Sequence, residues 1–181
     1  IAQSAFSGCS NLTSLAIPKS ITYIQLGAFT NCSSLTTITV DPLNPSYRSV
    51  DGVLFSKNML TLVRYPEGKT GGYAIPEGVT SIGESVFWGC TSLTNVTIPD
   101  SVTNIGYEAF AYCSSLATAR FLGDAPNVGE DVFSSTAPGF KVCHIAGALG
   151  FDVQPWLSWN AQVCEQCEGN EECDLDGDCD V

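Results

Sequence analysis

Positive charge is scarce in this chain. Its 181 residues include seven Lys and Arg against 19 Asp and Glu, which gives a formal net charge of −12. This balance argues against nucleic acid and anionic lipid as partners, because both are bound through clustered basic side chains. No apolar run reaches the roughly 20 residues that span a bilayer, so we expect no membrane insertion within this segment.

Histidine is scarcer still, since His144 is the only one in the sequence. It follows Cys143 in a short alternating segment that is typical of a β-strand. Neighbouring strand residues point to opposite faces, so this thiol and imidazole cannot form a nucleophile–base pair. The sequence therefore offers no catalytic residue, and we predict that the protein is not an enzyme.

What the chain does have is a repeat of 23 residues. This spacing separates Phe6 from Phe29 and Cys90 from Cys113. A period in the twenties with Leu-x-x-Leu-x-Leu spacing predicts a leucine-rich solenoid, in which each turn stacks on the next. The chain begins at Ile1, in the middle of a repeat and without Met, which predicts an excerpt or a processed product.

The strand of each turn should alternate between an inward apolar and an outward polar side chain. In the best-preserved repeat we expect Leu93, Val96 and Ile98 to face the core. Equivalent phenylalanines should then form a single interior column, made of Phe6, Phe29, Phe87, Phe110 and Phe133.

Residues 41–75 break this regularity and predict enlarged repeats. Val53–Phe55 and Leu60–Tyr65 are expected to pair as strands around a turn. The resulting bulge would bring Tyr47 and Arg48 together with Arg64 and Tyr65, a combination that is frequent in contact patches. The alternative, which we favour, is a set of ordinary turn residues with one buried tyrosine.

Recurring Ala-Phe, Cys and Ile-Pro elements run in register from Ile1 to about Phe121. They resemble the BspA-like (Treponema pallidum-type) leucine-rich repeat family, and residues 44–57 resemble that family's variant repeat. The resemblance implies a mostly β, α/β-type repeat over residues 1–122. It also implies a C-terminal cap over residues 123–160, closed by Phe151, Trp156 and Trp159. The remaining residues, 161–181, are expected to be a Cys-rich acidic extension that is truncated.

The resemblance further implies a secreted or surface-displayed adhesion module that binds an extracellular protein or glycan, or that self-associates. The alternative is a structural subunit of an extracellular assembly or filament, linked through its Cys-rich tail. The outward strand positions and the bulge supply the candidate partner-binding residues, which are Ser14, Ala16, Thr37, Thr39, Asn95, Thr97, Thr118, Arg120, Tyr47 and Arg48.

The nine cysteines fall into two groups. Those at the repeat position stack close enough for disulfides, but a column of buried free thiols acts equally well as small apolar filler, and we favour the free thiols. Four of the remaining five, Cys164, Cys167, Cys173 and Cys179, sit in polar, Gly-containing sequence that is typical of a disulfide-bonded module from an oxidising compartment. With Cys143 they are the candidate disulfide cysteines.

Two kinds of modification or ligand site are also suggested by local motifs. Asn11, Asn31 and Asn95 each begin an Asn-x-Ser/Thr sequon, so each is a candidate glycosylation site. Asp174, Asp176 and Asp178 have the alternation of a calcium loop, although the Glu that completes such a loop is missing. A solvated acidic tail is the alternative, and no other cofactor is expected.

Overall fold

The computed structural model describes residues 1–164 as a stack of short strands and turns. Its strands are β1 (Ser14–Ile17), β2 (Thr37–Val40), β3 (Tyr47–Val50), β4 (Val53–Ser56), β5 (Thr61–Arg64), β6 (Gly71–Ala74), β7 (Ser81–Ile82), β8 (Leu93–Ile98), β9 (Asn104–Ile105), β10 (Thr118–Phe121), β11 (Asn127–Val128), β12 (Lys141–His144) and β13 (Gln162–Val163). One 3-10 helix, Trp156–Trp159, follows β12. The described part contains no α-helix, so the repeat is a β-solenoid.

The strands form three sheets. β1 and β2 pair in parallel as a small N-terminal sheet, and β6, β8, β10, β12 and β13 form a longer parallel sheet, which we call the front sheet. The third, the back sheet, has the order β11-β9-β7-β5-β4-β3. Within it β3, β4 and β5 are antiparallel, which confirms the paired strands predicted for the insert.

The 23-residue period places equivalent residues side by side. Asn95 lies opposite Thr118 and Ile98 opposite Phe121 in the register of β8 and β10. Leu93, Val96 and Ile98 are all buried, as the alternation predicts. Each repeat therefore contributes one row of apolar side chains, and burial comes from the rows above and below it.

The single phenylalanine column predicted from the sequence is wrong. Phe6 stacks on Phe29 with ring centroids 5.8 Å apart, and Phe87 stacks on Phe110 at 4.5 Å, but these two pairs belong to separate apolar clusters. Tyr65, which packs 4.8 Å from Phe87, begins the second column. In the insert a tyrosine takes the place of the repeat's phenylalanine, and the two stacks have separate cores.

Strand β4 is the physical divider between the two clusters. Val53, Leu54 and Phe55 are each 0% exposed. Leu54 packs into the N-terminal cluster with Phe29 and Ile38, whereas Val53 and Phe55 pack into the larger C-terminal cluster. A strand buried on both faces reads as a continuous apolar run, which is why Val-Leu-Phe shows no alternation.

The C-terminal end of the stack is covered by aromatic rings. Phe151 and Trp156 pack against Phe121 at centroid distances of 5.4 and 5.2 Å, and Trp159 packs against Phe133 at 5.0 Å. Most of these contacts are edge-to-face, a geometry that favours the electrostatics of aromatic pairs. The three aromatics named from the sequence thus cover the last core rows.

Candidate interaction face

The predicted outward residues do stand in columns, but on two sheets instead of one. In the N-terminal sheet Ser14 lies opposite Thr37, and Ala16 lies opposite Thr39. In the front sheet Asn95 and Thr97 of β8 lie beside Thr118 and Arg120 of β10. Ser14, Ala16 and Thr39 are exposed, while Thr37 and the four front-sheet residues are half-buried.

A hairpin turn separates the two polar surfaces. Gly52, in the turn between β3 and β4, accepts a hydrogen bond of 2.8 Å from the Ile38 N–H. A Cβ on Gly52 would lie 3.2 Å from the Thr37 Cα, and its φ of +79° suits glycine alone. Lys69 Nζ donates to the Asp51 carbonyl at 3.0 Å and closes the other side of the turn.

In the front sheet, the Asn95 side chain of β8 packs over Gly72 of β6. A Cβ on Gly72 would come within 2.2 Å of Asn95 Oδ1, so the Asn95 side chain lies over the glycine backbone. This packing leaves Asn95 half-buried, whereas Asn11 and Asn31 are exposed. Glycosylation stays a prediction for all three, and the two exposed asparagines offer the easier access.

The disulfide lies at the C-terminal end of the front sheet. Cys143 is bonded to Cys164, with the two Cα atoms 5.3 Å apart. The Cys164 N–H also donates to the His144 carbonyl at 3.0 Å. The His144 ring stacks on Phe151 at a centroid distance of 4.5 Å, which gives this histidine a packing role.

Some predicted site residues lie beyond the described range. Cys167, Cys173 and Cys179, together with Asp174, Asp176 and Asp178, fall outside residues 1–164. Within the described range no three His, Cys, Asp or Glu side chains are grouped so as to hold a metal ion.

The four repeat cysteines are free, as favoured from the sequence, but they are not all buried. Cys113 Sγ donates to the Phe87 carbonyl at 3.1 Å, and Cys32 Sγ donates in the same way to the Phe6 carbonyl. Cys9 is exposed. Burial raises the pKa of Cys32, and it raises that of Cys90 strongly, so these thiols stay protonated.

The bulge does not form the predicted Arg/Tyr patch. Tyr47 belongs to β3 in the back sheet, where its hydroxyl accepts the Ile24 N–H at 3.1 Å, and Arg48 beside it is exposed. Arg64 and Tyr65 are instead buried, at 7% and 1% exposure. The alternative of turn residues with a buried tyrosine is the better description.

Sequence reasoning missed a buried ion pair between Arg64 and Glu67. Arg64 Nη1 donates to the Ser85 carbonyl at 2.7 Å, and Nη2 donates to Glu67 Oε1 and, at 3.4 Å, to the Phe29 carbonyl. Glu67 Oε1 also accepts the Asn31 N–H at 3.0 Å. Burial raises the pKa of Glu67, and Arg64 opposes that shift. The available signal was a pair of opposite charges three residues apart, at the end of an apolar strand.

The Arg64–Glu67 ion pair takes the place of a backbone hydrogen bond that the other turns make with the next turn. Elsewhere the equivalent N–H donates to the next turn, as Gly8 does to the Thr30 carbonyl and Gly89 to that of Ala111, at 2.9 and 3.0 Å. At Asn31 the acceptor is the Glu67 carboxylate. The ion pair therefore joins the N-terminal stack to the C-terminal stack across the insert.

No helix among residues 1–164 has the length and apolar character needed to cross a bilayer.

Part of the repeat region matches a known family model, and several solved structures are similar to the chain. Residues 67–139 match the family model described as the BspA type leucine rich repeat region (6 copies). No curated protein matches. Among solved structures, the pneumococcal vaccine antigen PcpA is similar at 27% identity and a TM-score of 0.61, over 74% of this chain and 39% of that one.

Two further bacterial structures have the same architecture. A leucine rich cell surface protein from Faecalibacterium prausnitzii is 27% identical with a TM-score of 0.57, over 76% of this chain and 43% of its own. A leucine-rich repeat protein from Eubacterium ventriosum is 26% identical with a TM-score of 0.54, over 74% and 42%. The chain thus spans less than half the length of each of these relatives.

Proposed function

Because residues 67–139 match the BspA type leucine-rich repeat region, we propose that this chain is an extracellular binding module that contacts a protein or glycan through its front sheet. Leucine-rich repeat proteins are binding scaffolds, and repeat stacking gives them extended binding surfaces. Two of the similar structures are described as a vaccine antigen and a cell surface protein, which supports display outside the cell. Recognition without catalysis is the activity that we assign to this chain.

The observation that carries the proposal is the row of polar side chains across β8 and β10. Asn95 and Thr97 stand in register with Thr118 and Arg120, and all four are half-buried. Side chains held in this way lose little conformational freedom on binding, which lowers the entropic cost of a contact. Threonine, asparagine and arginine supply hydroxyl, amide and guanidinium donors suited to protein or sugar surfaces.

The disulfide between Cys143 and Cys164 also supports display outside the cell. Disulfides persist in oxidising environments and are rare where thiols are kept reduced. It also fixes the chain that follows β12 against the end of the front sheet. A surface-displayed module gains stability there without enlarging its core.

The test places charge on the front sheet and compares it with charge on the back sheet. The variant Thr97→Glu/Thr118→Glu is matched by Thr103→Glu/Asn104→Glu, whose residues are exposed near β9. Binding is measured on immobilised fibronectin, laminin and collagen and on a glycan array, after circular dichroism has confirmed folding. We expect the front-sheet variant to lose roughly tenfold in affinity and the control to be unchanged.

Two outcomes would overturn the proposal. The first is equal binding by wild type and the front-sheet variant. The second is that no probe of either class binds the wild-type chain at micromolar concentration.

A further inference from the structure

One turn of the solenoid is two residues shorter than those beside it. In the back sheet Leu62 pairs with Ile82, and the Tyr65 N–H donates to the Val86 carbonyl at 3.1 Å. These two points align Tyr65 with Phe87, so two residues separate Leu62 from Tyr65 where four separate Ile82 from Phe87. The missing residues correspond to Glu84 and Ser85 of the following turn.

The omission leaves backbone groups without their usual partners. In the regular turns Ser85 N–H donates to the Tyr107 carbonyl and Glu108 N–H to the Glu130 carbonyl, both at 3.0 Å. The corresponding donor before the short turn is the Gly27 N–H, and the corresponding acceptor after it is the Glu84 carbonyl. Among residues 1–164 neither group has a backbone partner.

A surface cavity, which we call the notch, lies at the position that the two missing residues would fill. Its cavity volume is about 200 Å³, with Gln25, Leu26 and Gly27 on one wall and Glu84 and Ser85 on the other. Val63 and Arg64 line its floor. Since the walls belong to turns two spacings apart, they are about 10 Å from each other, which leaves room for one extended chain.

The chemistry of the walls selects the occupant. A peptide backbone presents both a carbonyl for the Gly27 N–H and an N–H for the Glu84 carbonyl at the spacing of one strand. Leu26 is 49% exposed at the rim and Val63 is half-buried on the floor, so an apolar side chain fits between them. The Glu84 side chain is exposed at the opposite rim, in a chain of net charge −12.

We propose that this notch binds an extended peptide segment of a partner protein, with an apolar residue against Val63 and a basic residue beside Glu84. The site shares no residue with the front-sheet face, so it is a second contact, separate from the proposed function. Its short turn lies where the insert interrupts the solenoid, which gives the irregular repeat a recognition role.

The test titrates ¹⁵N-labelled protein with two blocked peptides, acetyl-Val-Leu-Lys-amide and acetyl-Val-Leu-Glu-amide. We expect saturable amide shifts at Gly27 and Ser85 with the lysine peptide, and about fivefold weaker binding of the glutamate peptide. The variant Glu84→Gln should make the two peptides equivalent. Absence of shifts with either peptide at millimolar concentration would overturn the proposal.

A second experiment uses variants of residues that line the notch. Val63→Trp should abolish the shifts, and Leu26→Arg, which changes an exposed residue, should weaken binding of the lysine peptide even if Val63→Trp does not fold. Leu149→Arg is the matched control, because Leu149 is 70% exposed in the C-terminal region and lines no part of the notch. Shifts that persist in both notch variants would contradict the site. The front-sheet variant should leave them unchanged, so the two proposals fail independently.

Discussion

The N-terminal and C-terminal stacks are built from the same repeat, yet they bury it to different extents. Phe110 and Cys113 are 0% exposed, whereas the equivalent Phe6 is half-buried and Cys9 is exposed. Phe110 has a ring on each side, at 4.5 Å from Phe87 and 5.2 Å from Phe133. Phe6 has one, at 5.8 Å from Phe29. In a solenoid the repeat sequence supplies the apolar side chain, and the number of neighbouring turns decides how much it stabilises.

The largest expected difference between the stacks concerns these phenylalanines. Phe110→Ala should lower the free energy of unfolding by about 3–5 kcal/mol, because it empties a closed position in a stacked column. Phe6→Ala should cost only about 1–2 kcal/mol, because its site is partly open and loses less buried area. Urea denaturation followed by circular dichroism measures both values. Equal losses of unfolding free energy in the two variants would contradict the difference in burial between the two stacks.

The next effect concerns the joint between the stacks. Glu67→Ala should lower the free energy of unfolding by about 3–5 kcal/mol, since Arg64 is left buried without its carboxylate and Asn31 without its acceptor. The double variant Arg64→Met/Glu67→Ala should cost less than Glu67→Ala alone. A larger loss in the double variant would show that the pair does not act as a unit.

Alkaline pH should weaken the C-terminal stack more than the N-terminal one. Burial raises the pKa values of Tyr65, Tyr73 and Cys90, all of which pack in or against the C-terminal cluster. These groups bind protons in the folded state that the unfolded chain releases above pH of about 9–10, so stability falls there by about 1.4 kcal/mol per pH unit for each group. Unfolding free energies measured from pH 8 to pH 11 test this slope.

The variant Tyr73→Phe tests which groups produce the alkaline effect. It should reduce the slope of unfolding free energy against pH, because it removes one titrating group from the C-terminal cluster. A flat profile in the wild type would contradict the burial of these groups.

The smallest expected difference between the stacks concerns the reactivity of their thiols. Cys9 is exposed and should react first with iodoacetamide, while Cys32, Cys90 and Cys113 should react only after unfolding. Peptide mass mapping after brief labelling of native protein should therefore show label on Cys9 alone among the four repeat cysteines. Early labelling of Cys113 would mean that the C-terminal column opens as readily as the first turn.

The sequence predicted those features that depend on the repeat alone. The 23-residue spacing predicted the parallel registers, and alternation predicted that Val96 and Ile98 face inward. It did not predict two clusters, because the doubly buried β4 depends on where the hairpin lies relative to both stacks. Nor did it predict the Arg64–Glu67 pair, whose partners Phe29 and Ser85 are 35 and 21 residues from Arg64.

The candidate site likewise has some features that the sequence predicted and others that only the structure revealed. The outward columns followed from strand alternation, so Thr97 and Arg120 were placed side by side correctly. The hairpin turn at Gly52, which separates them from Thr37 and Thr39, required the three-dimensional path of the insert. The notch needed the alignment of Tyr65 with Phe87, which becomes evident only from the hydrogen bonds of the short turn.

The claim that β4 divides the core into two stacks is tested most directly by native-state hydrogen exchange at two equivalent amides. The Asp41 N–H donates to the Ile17 carbonyl and the Leu122 N–H to the Ile98 carbonyl, each at 2.9 Å, from equivalent positions in the two stacks. We predict that Asp41 exchanges at a lower opening free energy than Leu122, and that Glu67→Ala widens the difference. Equal opening free energies in the wild type and in Glu67→Ala would contradict the division and indicate one continuous cooperative core.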